Sequence, residues 1–122
     1  MSDVKVPAHL TDFVDVLGEE LAIDFLLCFG GAGLYLPSKF PRDGHMLVDL
    51  VGREKSIELG TKMGSGYIKV PTAKPYIIQF LFAKGATISD ICRKLHMTEP
   101  AVRRHLAPEV RQARQLSLFS NT

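Results

Sequence analysis

The sequence predicts a mainly α protein. An N-terminal dimerisation domain is built from two helix-strand units, and a C-terminal trihelical helix-turn-helix follows. Three observations point there. Apolar residues recur at helical spacing in two long runs, each closed by glycines, a short extended segment and a proline. The runs superpose at a constant offset of 34, pairing Gly18 with Gly52, Glu20 with Glu54, Ile23 with Ile57, Gly30 with Gly64, Leu36 with Val70 and Pro37 with Pro71. Residues 87–106, TISDICRKLHMTEPAVRRHL, divide into two short helical patterns joined by a tight turn, the second carrying paired arginines.

Residues 1–11 lack periodicity and include Pro7, which predicts a loose arm. From Thr11 or Asp12 to Phe29 one helix is expected, with Phe13, Val14, Leu17, Leu21, Ile23, Phe25, Leu26, Cys28 and Phe29 forming an apolar surface that widens toward its end. Gly30 and Gly31 stop it, and Leu34, Tyr35 and Leu36 form a short extended segment before Pro37. After the turn-rich PRDGH of residues 41–45, a second helix is expected from Met46 to Met63. Tyr67 to Val70 then repeats the strand before Pro71. A period of this length is common in helical solenoids, but one helix plus one strand per unit argues against that architecture.

Two helices and two short strands leave the widened face of the first helix without cover in a monomer. Pairing with a second copy solves this by forming a four-helix bundle and giving the strands edges to pair with. The expected interface residues are Leu21, Phe25, Phe29, Leu34, Tyr35 and Leu36. Cover by the C-terminal half in cis is the alternative.

Residues 71–75 (PTAKP) form a hinge, and a helix from Ala73 or Lys74 to Phe82 or Ala83 follows, with Tyr76, Ile77, Phe80 and Leu81 inward and Gly85 ending it. Thr87 caps the next helix with Asp90 at capping-box spacing, and Ile88, Ile91, Cys92 and Leu95 share one side. His96 and Met97 make the turn. Thr98 caps the last helix, where Pro100 sits in the first turn at little cost. Val102 and Leu106 face inward; Pro100, Arg103 and Arg104 point away. Outward arginines near the start of a short helix are what a recognition helix needs to reach guanine edges or phosphate oxygens. The candidate DNA-contacting residues are Thr98, Glu99, Pro100, Arg103, Arg104, His105 and Arg111, with Arg114 a further phosphate contact. The expected domains are 1–71 for dimerisation, 72–108 for the helix-turn-helix and 109–122 for a tail.

Charge distribution agrees. Residues 1–71 hold seven Lys/Arg against ten Asp/Glu, whereas residues 72–122 hold eight against three. A polyanion therefore belongs on the back half. Cys28 and Cys92 lie in apolar helical patterns, which predicts two buried free thiols. No stretch is apolar enough to span a membrane and the acidic N-terminus does not read as a secretory signal, so a cytoplasmic protein is expected.

The glycine-rich turns at residues 30–33 and 64–66 follow a helix and precede a strand, the reverse of a phosphate-binding loop. Lys39 and Lys69, beside the strands, are candidate backbone contacts in a dimer. His9, His45, His96 and His105 show no metal-ligand spacing, and the acids form no paired arrangement. The expectation is a non-enzymatic protein without metal or cofactor.

Residues 115–119 spell QLSLF, which resembles the peptide by which bacterial replication and repair proteins dock on the DNA sliding clamp. On that resemblance Leu118 and Phe119 enter a pocket, Gln115 makes the polar contact and Leu116 a side contact. Folding back onto the helical module is the alternative.

Residues from about Leu17 to Leu106 resemble the Mor/C family of phage middle- and late-gene transcription activators. The likeness rests on an acidic helix ending in Phe-Gly-Gly, LYLP at residues 34–37, a second helix, and a helix-turn-helix ending AVRRHL at 101–106. GYIKVP at residues 66–71 and the QLSLF tail depart from the family pattern. The resemblance implies a homodimer with intertwined N-terminal halves, two modules reading an imperfect inverted repeat in double-stranded DNA, and contact with host RNA polymerase. It also implies that Leu34, Tyr35 and Leu36 lie near the dimer axis.

Overall fold

The structure is a computed structural model describing residues 4–36, 45–64 and 66–106. It is mainly helical, with one two-stranded sheet. Two compact units are present, one spanning residues 7–73 and the other joining the N-terminal residues to the chain from Lys74 onward.

In the first unit, a 3-10 turn at Ala8–Leu10 leads into α1 (Thr11–Leu17), α2 (Glu19–Phe29), β1 (Gly33–Leu36), α3 (Met46–Val51), α4 (Arg53–Met63) and β2 (Gly66–Lys69). Within the arm expected to be loose, Leu10 is fully buried in this unit, and Val4, which belongs to the other unit, is buried as well. Each long helix expected from the sequence is two helices. Gly18 (φ 81°, ψ 164°) divides the first and Gly52 (φ 88°, ψ 163°) the second. A side chain resists this left-handed region, so glycine makes the sharp change of axis. The Gly18 and Gly52 N–H groups close the preceding helices on Val14 and Val48, and their carbonyls accept from Ala22 and Ser56 to open the next.

The 34-residue offset therefore has a structural counterpart. α2 and α4 are both 11 residues long, and they begin one residue beyond equivalent glycines. Buried positions correspond as well: Phe13 with Leu47, Leu17 with Val51, Phe25 with Leu59, Leu36 with Val70, and Ala22 with Ser56. Ser56 is buried because its hydroxyl donates to the Gly52 carbonyl at 2.8 Å.

β1 and β2 pair antiparallel, with Gly33 opposite Lys69, Leu34 opposite Ile68, Tyr35 opposite Tyr67 and Leu36 opposite Gly66. Beyond the ladder, Val70 N–H donates to Ala32 and Gly31 N–H donates to Val70, at 2.9 and 2.8 Å. The strands thus find each other within the chain. α1 packs on α2 and α4, and α3 packs on α2 and α4. Phe13 stacks on Phe25 at 5.2 Å, and Phe25 meets Phe29 at 5.3 Å. The expected need for a second copy to cover this face is corrected accordingly: Phe25, Phe29 and Leu36 are buried in cis. Of the six expected interface residues, Leu21 and Leu34 are half-buried and Tyr35 is exposed.

Gly30 shows why Phe-Gly-Gly has its sequence. A Cβ there would lie 2.4 Å from the Leu26 carbonyl oxygen and 3.1 Å from that of Pro71, so only a hydrogen fits where α2 ends beside the returning chain.

The cysteine expectation also needs correction. Cys28 is exposed and Cys92 half-buried, both as free thiols. The break at Gly18 resets the helical phase, and the stripe Glu20, Asp24, Leu27, Cys28 turns outward along α2.

Candidate nucleic-acid interface

The second unit contains three helices, α5 (Lys74–Ala83), α6 (Ile88–Leu95) and α7 (Glu99–Arg103). Tyr76, Ile77, Ile78 and Phe80 of α5, Ile91 and Leu95 of α6, Val102 of α7 and Leu106 beyond it are buried. Ile78 joins the expected inner face of α5, while Leu81 is half-buried.

The start of α6 follows the sequence. Thr87 is extended, and its hydroxyl oxygen accepts the Asp90 N–H at 3.1 Å. Hydrogen bonding with Thr87 and the neighbouring Arg93 guanidinium hold the Asp90 carboxyl below its usual range. α6 ends at His96 in the left-handed conformation (φ 54°, ψ 48°), and Met97 N–H returns to the Cys92 carbonyl at 3.1 Å. This terminal hydrogen-bonding pattern turns the chain toward α7.

Thr98 opens α7 in extended backbone geometry, its carbonyl accepting from Val102 at 3.0 Å, but its side chain makes no cap. The hydroxyl expected to cap the helix is therefore not used for that purpose. α7 is also shorter than expected, with Arg104 and His105 in a tightening turn. Gln79 of α5 braces this end by donating from Nε2 to the His105 carbonyl at 3.1 Å. No local sequence pattern announces this contact across 26 residues.

Thr98, Glu99, Pro100, Arg103 and Arg104 are all exposed, and His105 is half-buried. The arginines differ in one respect that the sequence reading missed. Arg103 donates from Nε and Nη2 to Glu99 Oε1 at 3.0 and 2.6 Å, whereas Arg104 has no ion-pair partner among the described residues. The four-residue spacing of Glu99 and Arg103 was the available signal. Glu99 thus holds one guanidinium in place and offsets part of its charge. Lys94, near the end of α6, is a further exposed cation that the sequence reading did not select.

Arg111, Arg114 and the clamp-peptide residues Gln115, Leu116, Leu118 and Phe119 lie outside the described residues, as does Lys39. Lys69 is exposed in the first unit, opposite Gly33. The histidines have local structural settings: His45 Nδ1 accepts the Leu47 N–H at 3.1 Å to cap α3, and His96 supplies the left-handed turn. Among the described residues, no group of three or more His, Cys, Asp or Glu is placed to hold a metal ion. No helix among them is long and apolar enough to cross a membrane.

A supporting helix, a capped second helix, a tight turn and an exposed third helix ending at two arginines define a helix-turn-helix, a module of DNA-binding regulators. Residues 74–107 match the family model described as "Bacterial regulatory protein, arsR family". The match covers this module and supports a helix-turn-helix regulator without bearing on the first unit. Searches of curated proteins and of solved structures returned no match to the chain.

Proposed function

We propose that the chain is a sequence-specific transcription regulator that binds double-stranded DNA as a homodimer. In this reading it is a phage or prophage activator of the Mor/C kind, working through host RNA polymerase. The observation that carries the reading is the exposed end of α7, where Arg104 is unpaired among the described residues and Gln79 braces the backbone beside it. Arg104 reaches a base edge or phosphate directly. Arg103 presents a fork held by Glu99, and Thr98, Glu99 and Pro100 face the groove. Two copies place two such helices on an inverted repeat.

The Mor/C resemblance supports the dimer and the polymerase contact. Because Phe25, Phe29 and Leu36 are occupied within the chain, the association uses the surface around Tyr35, which is 67% exposed. The acidic first unit faces polymerase rather than DNA. Selecting bound fragments from random and source-genome DNA tests the function: recovery of a symmetric site supports dimeric recognition, and failure to enrich any sequence contradicts it.

A second reading rests on QLSLF at residues 115–119, by which a DNA-bound chain docks on the bacterial sliding clamp. A pulldown with purified clamp, comparing the intact chain with one changed at Leu118 and Phe119, decides it.

A further inference from the structure

Two grooves flank the helices of the first unit, and the 34-residue repeat relates them. One, of about 360 Å³, is lined by Asp15, Val16, Ile57, Glu58, Thr61 and Lys62. Lys62 Nζ reaches across it to Asp15 Oδ2 at 3.2 Å. The other, of about 340 Å³, is lined by Cys28, Phe29, Met46, Asp49 and Leu50. Applying the repeat offset carries Asp15 onto Asp49, Val16 onto Leu50 and Lys62 onto Cys28.

The first groove is an internal control for the second. Asp49 stands where Asp15 stands, but the lysine opposite is replaced by a thiol, and Asp49 has no ion-pair partner among the described residues. Around it, Met46 replaces Asp12 and is 69% exposed, while Leu27 replaces Thr61 and is 37% exposed. An isolated exposed apolar residue is ordinary. Here Met46 and Leu50 line the groove beside the exposed carboxylate Asp49, with Leu27 exposed next to Cys28 on α2, whereas the equivalent groove is bridged by the Lys62–Asp15 ion pair.

We propose that the α2–α3 groove docks an amphipathic helix of another protein. The apolar side of that helix covers Leu27, Met46 and Leu50, and its lysine or arginine reaches Asp49 as Lys62 reaches Asp15. Charge selects this occupant over a second copy. α2 and α3 carry Glu19, Glu20, Asp24 and Asp49 and no lysine or arginine, so two copies meeting here bring like charges together. The groove belongs to the first unit and the recognition helix to the second, so its failure leaves the DNA reading untouched.

The test is fluorescence anisotropy of the full chain with a labelled synthetic helix of leucine and lysine, against the same helix with glutamate for lysine. The lysine helix binds at least about tenfold more tightly. Cys28→Lys restores the ion pair of the equivalent groove, and Met46→Asp removes an apolar contact while supplying the residue found at the repeat-equivalent position, Asp12. Each weakens peptide binding about tenfold while the thermal melt stays cooperative. Absence of lysine-helix binding, equal affinity for the glutamate helix, or undiminished binding by both folded variants overturns the proposal. Self-association lost in either variant, without peptide binding to the parent, also overturns it and assigns the groove to a second copy.

Discussion

Leu34 and Ile68 face each other across the β-ribbon, and they are also equivalent residues of the 34-residue repeat. The same offset exchanges Gly33 opposite Lys69 with Tyr67 opposite Tyr35. The ribbon therefore has a local pseudo-two-fold axis through the Leu34–Ile68 pair. Two helix-strand units, each with an unpaired strand edge, close on one another in a single chain. Tyr35 and Tyr67 lie together on the exposed face, with ring centroids 5.3 Å apart.

Gly30→Ala destabilises the first unit by about 1–3 kcal/mol, because the added methyl overlaps two backbone oxygens that belong to the helix end and the returning chain. Urea denaturation checks this; an unchanged midpoint and slope contradict the close approach. Ser56→Ala is milder, about 1 kcal/mol, since Ala22 fills the equivalent buried site and the lost hydroxyl leaves no orphaned donor.

His96→Gly stabilises the second unit by about 0.5–1 kcal/mol. Glycine removes the steric cost of the left-handed turn, which exceeds the added entropy of the unfolded chain. A lower melting temperature contradicts this balance.

Asp90 confers a pH dependence whose sign follows from its depressed carboxyl pKa. Its contribution is present above the unfolded value near 3.8 and is lost as pH falls through the lower folded value. Asp90→Asn therefore melts earlier than the parent at neutral pH, and the difference closes in strong acid. A constant gap across that range contradicts the linkage.

Sequence patterning made the helix-turn-helix legible because Thr87, Asp90, Gly85 and Pro100 act through contacts with near neighbours. It also exposed the repeat, since equivalent glycines and prolines must recur at equivalent turns. It did not expose the kinks at Gly18 and Gly52, where apolar spacing continues through the break and a tolerated helical glycine looks the same. Strand pairing was misjudged because neither Leu34 nor Ile68 encodes whether its partner lies in the same chain. The brace from Gln79 to His105 depends on tertiary approach alone. The Glu99–Arg103 pair is written in the four-residue spacing, and it is what makes the two arginines unlike.

Glu99→Gln releases Arg103 from its ion pair and removes a negative charge from the DNA-facing surface. DNA affinity at low salt rises a few-fold, with a steeper salt dependence. Filter binding across a salt series checks both; unchanged affinity and slope contradict the placing of Arg103 at the DNA.

DNA affinity of Arg104→Ala on a fragment selected by the parent chain is the most direct measurement of the central reading. Loss of an exposed guanidinium, unpaired among the described residues, at the end of α7 costs about 1–3 kcal/mol, roughly five- to 150-fold in Kd, with the helical circular dichroism unchanged. Equal binding by the folded variant and the parent would contradict DNA recognition by this face.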